Sequence, residues 1–240
     1  EPDLWGFQVF VVPAGLTAVL VLATGLHRLH GGPAETATEH ERGSGVSFAL
    51  VMPLCAAIAA NLCVLIRLYT VYLVRAFPAA DAAAQGWGGT TVGVLGLGGC
   101  TAAFIWGWLA ERFGPARLIA VMQLAAVPFL YQLLHVDHPS HAPWWGAGVA
   151  VTMGGVFPLS VVLARRARGP AQRLRLGLAV GGAWGVGELL YMALGRYIDL
   201  FPERDPAPLT RALGLCWLLL GVTATLAVAV AVTSRKQRRA

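Results

Sequence analysis

The sequence predicts an all-α polytopic membrane protein, a bundle of seven transmembrane helices. Three observations lead there. Charged residues make up 12% of the 240 residues, about half the roughly 25% usual in a soluble domain, while 57% are hydrophobic and the mean hydropathy is +0.64. Charges are also segregated: seven apolar stretches, near residues 4–26, 46–74, 87–109, 118–135, 143–164, 176–198 and 209–233, hold very few of them. Each is long enough to cross a hydrocarbon core of about 30 Å as a helix, which takes roughly 20 residues. The runs are apolar on all sides, whereas a membrane strand alternates apolar with polar residues, so self-satisfied helices are required. The intervening loops fall short of the roughly 50 residues a separate soluble domain needs for its own core. An attached soluble catalytic unit is thereby excluded.

The first helix lies within residues 1–29, as LWGFQVFVVPAGLTAVLVLATGLHRL. Residues 30–44, within HGGPAETATEHERGSG, have no apolar periodicity and read as a flexible cytoplasmic linker. Residues 45–240 then form a six-helix transmembrane bundle, joined by connections of roughly 5 to 12 residues, which force each helix antiparallel to the last. Glycine is concentrated in GWGGTTVGVLGLGG of the third span, GAGVAVTMGG of the fifth and GLAVGGAWGVG of the sixth. Gly177, Gly181 and Gly185 recur every four residues, and Gly89 and Gly93 make a shorter strip, so both read as faces for close packing between neighbouring helices or, alternatively, as sliding surfaces between two bundles. Pro158, just beyond Gly154 and Gly155, is placed to break the fifth span.

The net charge of +6 does not indicate nucleic acid, because the basic residues follow membrane sidedness rather than one patch. Thirteen lie in 28–45, 110–117, 165–175 and the tail after 233, against four on the other side. By the positive-inside rule the first set, and the C-terminus, face the cytoplasm, in a multi-pass protein of the cell membrane. Seven spans then put Glu1 outside. The chain has no initiator Met and no basic signal-peptide region, so it is expected to start part-way through a longer protein. Cys55, Cys63, Cys100 and Cys216 all fall within apolar spans and do not indicate a disulfide framework.

After the third span comes GWLAERFGPARL, residues 107–118. This loop resembles the signature of the major facilitator superfamily of secondary transporters, G-x-L-A-D-R-x-G-R-R/K, which that family carries between its second and third helices and again between its eighth and ninth. Gly107, Leu109, Ala110, Arg112 and Gly114 fall on the pattern; Glu111 replaces the usual Asp, Pro115 and Ala116 stand where basic residues are typical, and Arg117 comes one place late. The sixth span, together with Arg67 in the second, resembles the fosmidomycin-resistance type of efflux carrier within that superfamily. The resemblance covers essentially the whole chain. It implies the C-terminal six-helix half of a major facilitator fold plus the preceding helix, with an N-terminal half as the missing partner. Independently of the family, Glu111 can accept hydrogen bonds from a neighbouring helix N-terminus and Arg112 can pair across the bundle, as a gate that breaks when the conformation changes.

Two ionisable residues lie deep inside predicted spans, where a charge costs roughly 2.5–3.5 kcal/mol on insertion scales and so needs a partner or a wet cavity. These are Arg67 and Glu188. Counted from the outer ends of their predicted helices, they lie about 8 and 11 residues deep, a difference of roughly 5 Å that an Arg side chain spans. Glu188 is expected to be the protonatable group of a proton-coupled cycle, with Arg67 alternately pairing with it or binding an anionic solute. Asn61, Thr70, Tyr72, Thr152, Met153, Phe157, Trp184 and Tyr191 are candidates for cavity lining. His135, Asp137, His138 and His141 in HVDHPSH have zinc-like spacing, but with no further ligand cluster elsewhere a solvated loop is the reading adopted, and no metal is expected. Trp144 and Trp145 read as an interfacial aromatic belt.

The expected function is secondary active transport, most consistent with proton-coupled efflux of a small solute by alternating access. Its partners are the lipid bilayer, a small-molecule substrate and protons; neither a cofactor nor an enzymatic role is expected. The competing expectation is a non-transporting membrane subunit, or a half-sized protein that works only with a partner, in which Arg67 and Glu188 contact a partner helix. An intramembrane enzyme needs clustered nucleophiles at membrane depth, and none is evident.

Overall fold

The computed structural model describes residues 46–167, 172–202 and 205–239. The predicted first span and the linker at 30–44 lie outside the described residues. The rest is helical: α1 (Phe48–Ala76), α2 (Asp81–Phe113), α3 (Pro115–Leu134), α4 (Ala142–Met153), α5 (Val156–Arg166), α6 (Gln172–Gly177), a π-helical turn at Leu178–Gly182, α7 (Ala183–Ile198) and α8 (Ala207–Arg239). Six stretches are long and apolar enough to cross a membrane, with α4–α5 counting as one and α6–α7 as another. The chain is a multi-pass membrane protein, all-helical among the described residues.

Local chemistry sets where the helices start, stop and bend. Ser47 caps α1 by accepting a hydrogen bond from the Ala49 N–H at 3.3 Å. The turn from α2 to α3 is a single residue, Gly114, at φ 83°, a left-handed conformation that a Cβ disfavours. Its N–H closes the last turn of α2 onto the Ala110 carbonyl, and Pro115, whose missing N–H needs no partner there, opens α3. At the other end of α3, Tyr69 and Tyr72 of α1 donate hydroxyl hydrogen bonds, both 2.8 Å, to the Leu133 and Leu134 carbonyls. These carbonyls are among those a helix C-terminus leaves without backbone donors.

The α4–α5 span breaks at Gly154–Gly155, as the sequence leads one to expect. Pro158 supplies no N–H to the carbonyl four residues back, and the Trp106 indole donates to the Val151 carbonyl at 2.6 Å beside the break. Lipid tails are as apolar as leucine, so close packing rather than hydrophobic burial holds membrane helices together, and glycine lets their backbones approach. Here Gly99 of α2 faces Gly154 so closely that a Cβ on Gly154 would strike the Gly99 backbone, while a Cβ on Gly98 would lie 2.7 Å from the Ala150 Cβ.

Two apolar clusters stack along the bundle. One, toward the α1 C-terminus, is built on Tyr69, Leu73, Leu130, Leu133, Leu209 and Leu213; the other, toward the α1 N-terminus, on Leu54, Ile58, Ile119, Leu159, Leu163 and Val230. The packing order has an internal regularity. Helix α1 packs most closely on α7 and α8, α4 packs most closely on α2 and α3, α3 packs on α8, and α1 meets α5. Exchanging the three-span unit α1–α3 with the unit α4–α8 maps this set of neighbours onto itself. Three spans is an odd number, so corresponding spans run in opposite directions, the relation of inverted-topology repeats about an axis in the membrane plane. The exchange is imperfect in one place: α1 packs along α2, whereas α5 only lightly touches α6.

Candidate functional site

The two spans related by that exchange, α2 and α6–α7, are the least covered. Their most apolar windows are 11% and 17% buried, against 61% for the central α1. On the uncovered side of α1 and α7 sits the pair the sequence singles out. The Arg67 guanidinium donates to Glu188 Oε1 at 3.1 Å, and among the described residues this is the only salt bridge. Arg67 comes nine residues before the end of α1 and Glu188 ten before the end of α7. At 1.5 Å per residue both lie roughly 14–15 Å from their helix ends, near the middle of a core of about 30 Å. The sequence-based offset of roughly 5 Å thus shrinks to about one residue's rise, because α1 continues to Ala76, past its hydropathy limit at 74, whereas α7 ends at Ile198 as its hydropathy suggests.

Close approach of the helices makes the pair possible. Gly187, next to Glu188, lies so near α1 that a Cβ would sit 2.7 Å from Cys63 Sγ and 3.1 Å from the Ala59 carbonyl oxygen. Gly187 is a site residue the sequence reading passed over, although its adjacency to an intramembrane acid was a usable signal. Tyr191, one turn beyond Glu188, presents its ring 6.0 Å from the Arg67 guanidinium carbon, within reach of a cation–π contact. Trp184, one turn before Glu188, meets Phe157 of α5 edge to face with centroids 5.4 Å apart. Trp184, Glu188 and Tyr191 share one helix face by their spacing of four and three residues. The π-helical turn just before α7 adds a wider turn to the same span, a feature frequent at functional sites.

Both charges are open to their surroundings, with side chains 56% and 41% exposed. In hydrocarbon such charges are unfavourable even when paired. The arrangement can exchange partners: a proton on Glu188 removes its charge and frees the guanidinium for an anion.

The other sequence candidates divide. Thr70 packs at Gly88, where a Cβ would lie 2.9 Å from the Thr70 methyl. Asn61 is fully buried, its amide directed at the Cys216 carbonyl at 3.5 Å; Tyr72 is tied to α3; Thr152 bonds the Gly148 carbonyl at 2.8 Å; Met153 is in the core. These four brace the bundle and do not line the open face. Gly89, Gly177, Gly181 and Gly185 would each carry a Cβ into open space, so they make no close helix contact within this bundle, and Gly93 is half-buried. The glycines against which other helices pack closely are instead Gly88, Gly98, Gly99, Gly146, Gly148, Gly154, Gly155 and Gly187.

In the 107–118 turn, Glu111, Arg112 and Arg117 are exposed, Gly107 has space around it, and Arg112 lies 5.9 Å from the Trp108 ring. Neither Glu111 nor Arg112 makes the expected cross-bundle contact with a described residue. In the HVDHPSH loop, His138 Nδ1 is 2.7 Å from Ser140 Oγ, whereas His135 stacks on Tyr131 at 4.4 Å. Among the described residues no three His, Cys, Asp or Glu side chains are grouped as metal ligands. Cys55, Cys63 and Cys216 are buried and Cys100 is exposed, all as free thiols. Comparison with protein-family models and with curated proteins finds no match to the chain.

Proposed function

We propose that the chain belongs to a secondary active transporter of major facilitator type, which moves a small solute by alternating access in a proton-coupled cycle. The observation that carries this reading is the Arg67–Glu188 pair, formed between α1 and α7 at mid-depth on an uncovered face. A charge pair there has little structural use: it stabilises few contacts within the bundle and is unfavourable against lipid. It suits a site where protonation of the acid opens the guanidinium to an anionic solute. Glu188 takes the proton, the ion pair opens, and Arg67 binds the solute's negative group; loss of the proton restores the pair and releases the solute.

Three further features support the reading. The neighbour pattern of the six spans is that of inverted three-helix units, which many transporters use to alternate between two open states. Gly114 gives the 107–118 turn the sharp reversal that the family signature provides for. The uncovered α2 and α6–α7 suit contact with a second helical bundle, the N-terminal half of the same polypeptide. On this reading the Arg-rich side, including the C-terminus of α8, faces the cytoplasm of a cell membrane.

The test uses the full natural polypeptide in proteoliposomes with an imposed pH gradient. Glu188→Gln is expected to abolish gradient-driven solute movement while the protein still folds and inserts. Arg67→Gln is expected to weaken solute binding and leave Glu188 without a partner. Undiminished coupling in Glu188→Gln overturns the mechanism. Absence of solute movement in the natural protein, with Arg67 crosslinking to a partner helix, favours the non-transporting subunit.

A further inference from the structure

The exchange of α1–α3 with α4–α8 pairs the α2–α3 turn with the α7–α8 turn, which lies on the opposite side of the membrane. Their sequences echo one another. Gly107, Glu111, Phe113, Pro115 and Arg117 are matched in order by Gly195, Asp199, Phe201, Pro202 and Arg204, with equal spacing except that Gly114 has no counterpart. Arg204 lies outside the described residues, and the structural argument rests on those before it.

Each turn also receives an equivalent helix end. The end of α5, at Leu163 and Ala164, packs in one cluster with Leu109, Ala110, Ala116 and Leu118 around the first turn. The end of α1, at Leu73, Val74 and Phe77, packs in the other cluster with Tyr197, Ile198 and Leu209 around the second. Both incoming helices carry arginine in their last turn, Arg165 and Arg166 on α5 and Arg75 on α1. One terminal nitrogen of Arg75 is buried and has no hydrogen-bond partner among the described residues. A buried charged donor without an acceptor is unfavourable, and a second conformation is one way to supply the acceptor. Of the acids described on the adjoining turn, Asp205 is committed, because its Oδ1 accepts the Ala207 N–H at 2.9 Å at the start of α8. Asp199, the residue that follows Ile198, is exposed and makes no salt bridge with a described residue.

We propose that Arg75 and Asp199 form a charge latch that closes the α1 C-terminal end of the solute path, as the inverted counterpart of the 107–118 turn at the other end. The latch is open in this structure and closes when the opposite end opens. This inference rests on the transporter reading, since a latch needs a path to close. It adds a second, opposite gate, built from residues outside the Arg67–Glu188 site.

Val71 is a suitable reporter, because it is 42% exposed and lies one turn beyond Arg67 toward the proposed gate. In the full polypeptide in sealed vesicles, Val71→Cys is labelled from the α1 C-terminal side with a membrane-impermeant maleimide, with Cys100→Ser removing the exposed native thiol. Arg75→Glu and Asp199→Arg, each alone, are expected to speed labelling about tenfold, and the double charge swap to return it to the natural rate. Singles that label at the natural rate, or a swap that does not restore it, overturn the latch. Size-exclusion profiles and Arg75→Lys, which keeps the charge and is expected to label like the natural protein, separate gating from misfolding. If Val71→Cys stays unlabelled from both sides in every variant while the protein is folded, there is no aqueous path, and the transporter reading falls with the latch. Labelling that is present but indifferent to residues 75 and 199 sinks the latch alone.

Discussion

Glycine 187 decides whether two charges can meet. Glu188 reaches Arg67 at 3.1 Å because its neighbour has no side chain to hold α7 away from Cys63 and Ala59. A Cβ at 187 would lie 2.7 Å from the Cys63 sulfur, tighter than side chains tolerate, so the helices would have to separate or turn. Gly187→Val is therefore expected to cut proton-coupled transport at least tenfold although it leaves both charges in place, with Gly187→Val/Cys63→Ala recovering part of the loss. If Gly187→Val transports normally in proteoliposomes, the pair does not depend on close approach. Arg67→Lys makes a second distinction. Lysine keeps a point charge but loses the flat guanidinium that lies over Tyr191. It is expected to bind solute several-fold more weakly while coupling persists, and equal binding would show that the tyrosine ring contributes nothing.

At the scale of elements, glycine position matters more than glycine number. A Cβ on Gly154 would strike the Gly99 backbone, which has no flexible end to move aside. Gly154→Ala is expected to destabilise the bundle by about 1–3 kcal/mol, as overpacking does, whereas Gly181→Ala, which meets nothing within the bundle, should stay within about 0.5 kcal/mol. Thermal unfolding of the detergent-solubilised protein compares the two, and equal losses would mean that the α2–α4 crossing is not where the bundle is tight. The glycine strips picked out by spacing make no close contact within the described bundle, for a physical reason. Spacing of four marks a strip on a helix but not the direction the strip faces, and rotation about the helix axis is set by tertiary packing. The π-helical turn at Leu178–Gly182 also falls between Gly177 and Gly185 and shifts their register. What composition does encode was legible: six spans near their observed limits, the break before Pro158, and a charge pair inferred from two residues too costly to leave alone in lipid. Asn61, Thr152 and Met153, read from the sequence as cavity lining, are buried within the described bundle, because a polar or soft side chain within a span serves a backbone carbonyl or the core as readily as a solute.

For the molecule as a whole, the least covered helices are those that correspond under the inverted repeat, and that coincidence calls for one cause. If lipid covered both α2 and α6–α7, nothing would favour a glycine strip there, and the open Arg67–Glu188 pair would remain unfavourable. A second bundle against the same face accounts for both, because glycine admits close helix contact and a seam between bundles holds water around the pair. Gly181→Cys, on the open strip of α6–α7, is accordingly expected to crosslink efficiently through a short bifunctional maleimide to cysteines placed elsewhere in the full polypeptide, within one molecule. Crosslinked dimers of the polypeptide instead would assign the seam to a second copy. Labelling of Gly181→Cys by lipid-soluble but not water-soluble maleimides, with no crosslink to protein, would leave the face to lipid. The ion pair would then need another explanation, such as a partner helix that joins only in the native membrane, and the proposed solute path would lose its second wall.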